Sequence, residues 1–379
     1  MCVLRSTLFR LSLALLLIVS CKDNQVAVCT VIGEIQNVKD GYLMLLLKSN
    51  LDGSNSTIAV DTLENGRFEF TAPAETGVQY HIATPHFEVF PSMSVDFYVE
   101  PGAEIRIIGK DYLIKNWKVK SRVRDQKIYQ SYFDQVADIY KKMQLVEFEY
   151  RKTKDLDAFL NESRVLNSKV DSVSIKWLKS QRKINEPWID LMARSSHVAK
   201  MFKDEKTLIE LRSIWDGVDV RFKNTLKGKT ITLALQPLGG PLRVGDIFPY
   251  DTDVSDIHGY NRSLSQFKGK HVLLYFNSYG CKPCIEAKKE LAELTDSMKG
   301  TLEVIGLNVD TPDTWKAKGK DNPVSWYDFN EEKESYGLNL RFETMGIPAF
   351  VIISKEGVIL DVWSGYREGI IAERIKRCI

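Results

Sequence analysis

Cys281-Lys282-Pro283-Cys284 places two thiols one helical turn apart. They follow the apolar run His271-Val-Leu-Leu-Tyr-Phe276 and open a segment in which Cys284, Ala287, Leu291, Leu294 and Met298 recur at spacings of three and four. That pattern puts the first thiol at the N-terminus of an amphipathic helix, where unpaired backbone N–H groups and the helix dipole favour thiolate over thiol. A second thiol three residues on can attack a mixed disulfide formed by the first. The pair therefore reads as a redox couple, with Cys281 the exposed nucleophile and Cys284 the resolving thiol. Lys282 either adds a positive charge that favours the thiolate or is a solvated side chain. Pro283 shapes the helix start, where its missing N–H costs nothing.

Other cysteine chemistries fit less well. Attachment of a c-type haem needs His directly after the second Cys, and Ile285 stands there. A zinc site needs further ligands at matching spacing, whereas Cys2, Cys21, Cys29 and Cys378 are isolated and the five His residues are scattered. No metal is expected, and no cofactor beyond the Cys281–Cys284 disulfide.

The elements that must position this pair form the last of several segments. Arg5 and Arg10 precede an apolar run from Leu11 to Val19, too short for a membrane span and read as a signal peptide over 1–20. Its end, Ile18-Val19-Ser20-Cys21, resembles a bacterial lipobox, which implies a lipid on Cys21 and a short tether over 21–25. From 26 to 120 a period of two with turn punctuation predicts an antiparallel β-sandwich-like domain. Asn65-Gly66 is expected to join Thr57–Val60 to Arg67–Phe70 as a hairpin, Pro101-Gly102 turns between Ser94–Val99 and Glu104–Ile108, and Cys29 is expected to be buried in the first strand.

From 121 to 237 the period is helical, with Ile128, Tyr132, Val136, Ile139, Met143 and Val146 on one stripe and Asn185 capping a later helix. Leu191, Met192, Val198, Met201 and Phe202 form a further apolar stripe, read as core filler in a helical connector. Leu238-Gly239-Gly240-Pro241 is a linker into 238–379, where strands alternate with helices and a last helix carries Ile371, Ile375 and Ile379 on one face. The length of 379 residues fits several domains, and a net charge of +2 spread along the chain points away from nucleic acid.

At this level the stretch from Arg243 to Ile379 resembles envelope thioredoxin-like oxidoreductases of the TlpA/ResA type. Gly245-Asp246-Ile247-Phe248-Pro249, Ser263 to Lys270 and Met345-Gly346-Ile347-Pro348 carry the likeness beside the Cys pair. The resemblance implies an α/β thioredoxin-like fold and a cis-Pro loop in which Ile347 and Pro348 bind an extended substrate. It also extends to the β domain, since Val60–Phe70 looks like a domain of unknown function that precedes thioredoxin domains in Bacteroidota lipoproteins.

The chain departs from the pattern at Tyr279-Gly280, where Trp usually precedes the first Cys, and at Tyr275 and Ala287, which occupy the two customary places of a buried acid. Glu286 lies on a different helical face, so no general base is assigned. Resolution of a Cys281 mixed disulfide by Cys284 would leave an oxidised enzyme and a reduced substrate. The Xaa-Pro dipeptide between the cysteines and Gly346-Ile347 before Pro348 lean towards reduction. The expected substrates are then oxidised envelope proteins, apocytochrome c among them, with a membrane electron donor, in a protein lipid-anchored in the cell envelope. Two alternatives stay open: a surface lipoprotein whose β domain binds a ligand beside a scaffolding thioredoxin-like domain, and a peroxiredoxin-like peroxidase, against which Leu274 and Ser278 fill the places of the needed Pro and Thr.

Overall fold

The computed structural model describes residues 27–49, 55–237, 239–333, 336–342 and 346–379. The expected signal peptide, the tether with Cys21, Leu238 of the linker and Met345 lie outside them. Among the described residues the chain runs through a sheet-rich region, a helical segment and a C-terminal α/β unit.

The first region holds β1 (Val28–Ile35), β2 (Leu43–Ser49), β3 (Asn55–Thr62), β4 (Arg67–Pro73), β5 (Val78–Ala83), β6 (Val95–Val99), β7 (Glu104–Gly109) and β8 (Lys118–Lys120). They form two sheets, ordered β4-β1-β7-β8 and β3-β2-β5-β6. Alternate residues such as Phe68, Phe70 and Ala72 point into a shared core with Met44, Leu46, Ile82 and Phe97, as period-two patterning demands. Cys29 is buried there.

The connections correct two expectations. The Asn65-Gly66 turn forms at φ 50° and 70°, and Glu64 and Arg67 exchange backbone hydrogen bonds at 2.9 Å, but no hairpin ladder follows. Instead β3 pairs with β2 and β4 pairs with β1. Leu63 is fully buried and the Asp61 carboxylate accepts from Thr62 N at 2.8 Å and Glu69 N at 2.7 Å, which holds the crossing from one sheet to the other. The Pro101-Gly102 turn likewise passes between sheets, and it leaves β7 parallel to β1 in an otherwise antiparallel sandwich. Covering the apolar faces of both layers outweighs the local preference for a hairpin.

The helical segment comprises α1 (Arg124–Thr153), α2 (Leu156–Ser180), α3 (Glu186–Met201), α4 (Glu205–Asp216), α5 (Val220–Lys223) and α6 (Leu226–Leu235). Asp155, Asn185, Asp204 and Thr225 start α2, α3, α4 and α6 by accepting a backbone N–H from the first turn. Tyr132, Val136, Trp177, Trp188, Leu191, Met192 and Trp215 pack its core. Met201 and Phe202 do not extend that stripe: they are 40% and 50% exposed, because α3 stops at Met201 and the chain turns at Lys203, whose φ is 55°.

Polar clamps lock the sandwich onto α1. Gln126 Oε1 accepts from Tyr98 N at 3.0 Å and Gln144 Oε1 from Lys115 N at 3.0 Å. Asp96 accepts from Ser94 Oγ at 2.9 Å and Tyr129 Oη at 3.1 Å, bonds His81 Nδ1 at 2.9 Å and pairs with the buried Lys115 ammonium. Burial works to raise the Asp96 carboxyl, but Lys115 and His81 outweigh it and hold it well below the usual carboxylate range.

The C-terminal unit contains β9 (Asp253–Asp256), β10 (Asn261–Ser263), β11 (His271–Asn277), α7 (Lys282–Ser297), β12 (Leu302–Asn308), α8 (Pro312–Asp321), β13 (Tyr327–Asn330), α9 (Leu338–Arg341), β14 (Ala349–Ile353), β15 (Ile359–Ser364) and α10 (Ile370–Cys378). Its sheet is ordered β10-β9-β13-β12-β11-β14-β15, with β13, β12 and β11 parallel. Leu273, Tyr275, Val304 and Phe350 meet α7 and α10 on one face, while Leu274, Phe276, Leu307 and Phe329 meet Phe248, Phe267 and Phe342 on the other. Ile371 and Ile375 are buried, but Ile379 is 42% exposed because α10 ends one residue before it. Among the described residues no helix is long and apolar enough to cross a membrane.

Removing one partner of a buried ion pair strands the other charge. Lys115→Ala is expected to destabilise the fold by about 3–5 kcal/mol in urea unfolding. In the parent protein the depressed Asp96 carboxyl contributes stability above the ordinary carboxylate pKa. That contribution should fade as the pH falls through its folded value.

Candidate active site

Strand β11 ends at Asn277, which stands beside Asn308 at the end of β12, which in turn stands beside Asn330 at the end of β13. All three asparagines are buried on the α7 face, where Asn308 bonds Asn277 and Asn308 and Asn330 bond the loops above. Asn308 Nδ2 donates to Asn277 Oδ1 at 3.2 Å, Asn308 Oδ1 accepts from Asp310 N at 2.8 Å, and Asn330 Nδ2 donates to Asp310 O at 2.9 Å. The row thus fixes Asp310. Its carboxylate accepts from Ser278 Oγ at 2.6 Å and from Tyr279 N at 2.9 Å, so it holds the loop that delivers Cys281.

Cys281 is the N-cap of α7, with Cys284 N donating to its Sγ at 3.2 Å. The two sulfurs are joined in a disulfide of 2.05 Å, with Cα atoms 5.2 Å apart. Cys281 is half-buried, whereas Cys284 is fully buried against Tyr275 and the sheet. Lys282 and Pro283 are exposed in the first turn. Across from them the Ile347–Pro348 peptide is cis, Ile347 O lies 3.7 Å from Cys281 Sγ, and Pro348 O accepts from Gly365 N at 2.8 Å. Thus Cys281 and Cys284 share one site with Ile347 and Pro348, although Cys281 and Ile347 are 66 positions apart in the chain. Cys29 and Cys378 form no disulfide and lie elsewhere, one in the sandwich core and one on α10.

The chain that runs from 269 to 359 matches a family model described as thioredoxin-like. The C-terminal domain is thioredoxin-like. That domain is similar to thioredoxin-like protein YneN of Bacillus subtilis (strain 168), with 27% identity over 117 residues, which covers 30% of this chain and 68% of that protein. Among solved structures it is similar to the thioredoxin domain of a thiol-disulfide oxidoreductase from Bacteroides vulgatus, at 22% identity and TM-score 0.32, covering 36% of this chain and 98% of the other. A further likeness is to the pneumococcal exposed lipoprotein thioredoxin of Streptococcus pneumoniae strain TIGR4, at 19% identity and TM-score 0.30, covering 33% and 97%.

Within this thioredoxin-like domain Tyr275 Oη donates to the Cys284 carbonyl at 2.7 Å. Burial, and then the charge of Asp328, push its hydroxyl pKa up, so Tyr275 remains a neutral donor. Ala287 is buried and Glu286 exposed, which leaves neither beside the disulfide as a base. Among the described residues there is no cluster of three or more His, Cys, Asp or Glu able to hold a metal.

Sequence reasoning passed over Asp310 and the three asparagines. Their signal was present as a polar residue closing each apolar run, Phe276-Asn277, Leu307-Asn308 and Phe329-Asn330. Their meaning depends on strand order. Asp310→Ala removes the acceptor for Ser278 Oγ and Tyr279 N, and a loss of about 1–3 kcal/mol is expected in denaturant unfolding of the oxidised protein. Alkylation of reduced Cys281 by iodoacetamide should also slow, as the loop no longer holds the thiol at the helix end.

Proposed function

We propose that this protein is a cell-envelope thiol–disulfide oxidoreductase that reduces disulfides in other proteins. One observation carries the reading: a dithiol–disulfide pair sits at a helix N-terminus with one sulfur half-exposed, one buried, and the Ile347 carbonyl beside the exposed one. In the reduced enzyme the Cys281 thiolate attacks a substrate disulfide and releases the first substrate thiolate. Cys284, as thiolate, then attacks Cys281 Sγ and releases the second, so two electrons pass to substrate and the internal disulfide forms. The free N–H groups at the start of α7 favour the Cys281 thiolate. Ile347 and Pro348 offer backbone to an extended segment beside the reacting sulfur.

The lipobox-like Val19-Ser20-Cys21 supports a lipid anchor and an oxidising compartment, where a reductase needs a membrane electron donor. Oxidised envelope proteins, including apocytochrome c with its paired thiols, suit such an enzyme as substrates. The β-rich region and the helical connector then hold the thioredoxin-like domain away from the anchor.

Insulin reduction with dithiothreitol as the donor should fall to the uncatalysed rate in Cys281→Ser. Cys284→Ser should instead accumulate a substrate mixed disulfide on Cys281, visible as a mass shift. Equilibration of the parent protein with thiol buffers is expected to give a potential near that of thioredoxin, about −270 mV. A value near −120 mV would mark an oxidant, and failure to form a reversible disulfide would favour a ligand-binding lipoprotein.

A further inference from the structure

Helices α1 and α2 form a hairpin longer than the core it serves. No member of the apolar core of the helical segment lies in α1 after Met143 or in α2 before Val170. Beyond those points the two helices still pack as an arm, closed by Asp155 at the start of α2 and by Tyr150 stacked on Phe159 at 4.8 Å. The sandwich takes one side of this arm: Ser92 N donates to Glu147 Oε1 at 2.9 Å and Arg151 Nη1 to Phe90 O at 2.6 Å. At about 3.6 residues per turn, Lys142, Leu145 and Glu149 stand on the opposite side of α1. There Leu145 and Val146, with Val165 and Leu166 of α2, line an open groove of about 500 Å³. Leu145 is 49% and Val165 56% exposed, so this side of the hairpin shows water a contiguous apolar patch of the kind that marks an interaction surface.

The charges around the groove are ordered. On α1 Lys142 precedes and Glu149 follows Leu145-Val146; on α2 Glu162 precedes and Lys169 follows Val165-Leu166. The helices run antiparallel, with Tyr132 bonded to Ser174 at 2.9 Å far from the tip and Tyr150 on Phe159 near it. The two lysines therefore stand at one end of the face and the two glutamates at the other, where Glu149 and Glu162 line one pocket with Leu145 and Val146. All four are exposed. Lys142, Glu162 and Lys169 make no ion pair among the described residues, and Glu149 meets Lys152 at 3.5 Å in a solvent-exposed pair of the kind worth little. A face that is basic at one end, apolar in the middle and acidic at the other is complementary to itself. We infer that a second copy of this chain covers the groove, related by a two-fold axis that crosses the helices at Leu145-Val146 and Val165-Leu166. The axis sets the apolar pairs of the two copies against each other, Lys142 against Glu149 of the second copy and Lys169 against Glu162 of the second copy. The result is an antiparallel four-helix arrangement with a dry middle and ion pairs at both ends. No residue of the thioredoxin-like domain lines this face, so loss of the dimer leaves the disulfide chemistry untouched.

The test is sedimentation velocity of the full chain from about 1 to 100 µM, in dithiothreitol so that no cross-link through Cys29 or Cys378 contributes. A monomer–dimer equilibrium with Kd on the order of 10 µM is expected, as the face is at the small end of specific interfaces. Val165→Glu should weaken it by about tenfold or more, with circular dichroism and insulin reduction unchanged. Lys142→Glu and Glu149→Lys should each weaken it by about tenfold, since each sets like charges together on both sides of the axis. The double variant with Lys142→Glu and Glu149→Lys should dimerise like the parent, and an equal mixture of the two single variants should form a mixed dimer, because both restore opposite charges. A chain that stays monomeric to about 100 µM overturns the inference; flotation of that monomer with anionic liposomes, lost in Val165→Glu, would then assign the face to a lipid surface. A dimer that the charge reversals leave untouched uses another face and overturns it too, and that result decides even if Val165→Glu does not fold.

Discussion

The first N–H groups of α7 have no carbonyl partners inside the helix, and the chemistry at Cys281 depends on where those groups are aimed. Their direction is set by the end of β11. Asn277, Asn308 and Asn330 close three parallel strands at one level; Asn308 bonds Asn277, and Asn308 and Asn330 together hold the Asp310 backbone above them. Asp310 in turn grips Ser278 and Tyr279, so the turn into α7 is fixed by charge-assisted bonds at its base. A loop without those bonds would leave the sulfur free to wander from the Ile347 carbonyl.

Two kinds of environment meet at the disulfide. On the outer side Cys281 has solvent, exposed Lys282 and the backbone of the Ile347–Pro348 segment. On the inner side Cys284 has Tyr275, Ala287, Leu291 and Phe350. Identical side chains are thus given different tasks by burial alone, since the accessible one can meet a substrate and the enclosed one can meet only its neighbour. Asp328, held by Trp315 Nε1, is a polar exception beside this apolar underside, and Gly306 leaves room for its carboxylate.

Away from the site, stability rests on separate cores joined by polar clamps. The sandwich and the helical segment each bury aromatic and aliphatic side chains, share the contact of Tyr98 with Tyr129, and are tied through Asp96, Lys115, Gln126 and Gln144. On the far side of the helical segment His197 Nδ1 lies 2.7 Å from Tyr336 Oη, and the Arg341 carbonyl accepts from Leu242 N at 2.8 Å where the linker enters the last domain. The buried contacts at Asp96, Lys115, Gln126 and Gln144 add little net energy when satisfied, but each is costly to break, so they specify how the sandwich joins the helices.

By itself the sequence determined whatever is governed by neighbours in the chain. The period-two and helical patterns, the Asn185 cap, the Asn65-Gly66 turn, the Cys pair at a strand-to-helix junction and the thioredoxin-like resemblance were all legible, because propensity and spacing act over a few residues. Tertiary structure decided what depends on which strands become neighbours. The turn at Asn65-Gly66 was read correctly as a turn, yet its strands belong to different sheets, since two layers had to be covered. Likewise Asp328 and Asp310 are ordinary acidic residues in the sequence. Only the order β13-β12-β11 puts one beside Gly306 and the other under the Cys281 loop, because sheet pairing joins residues that no local pattern relates.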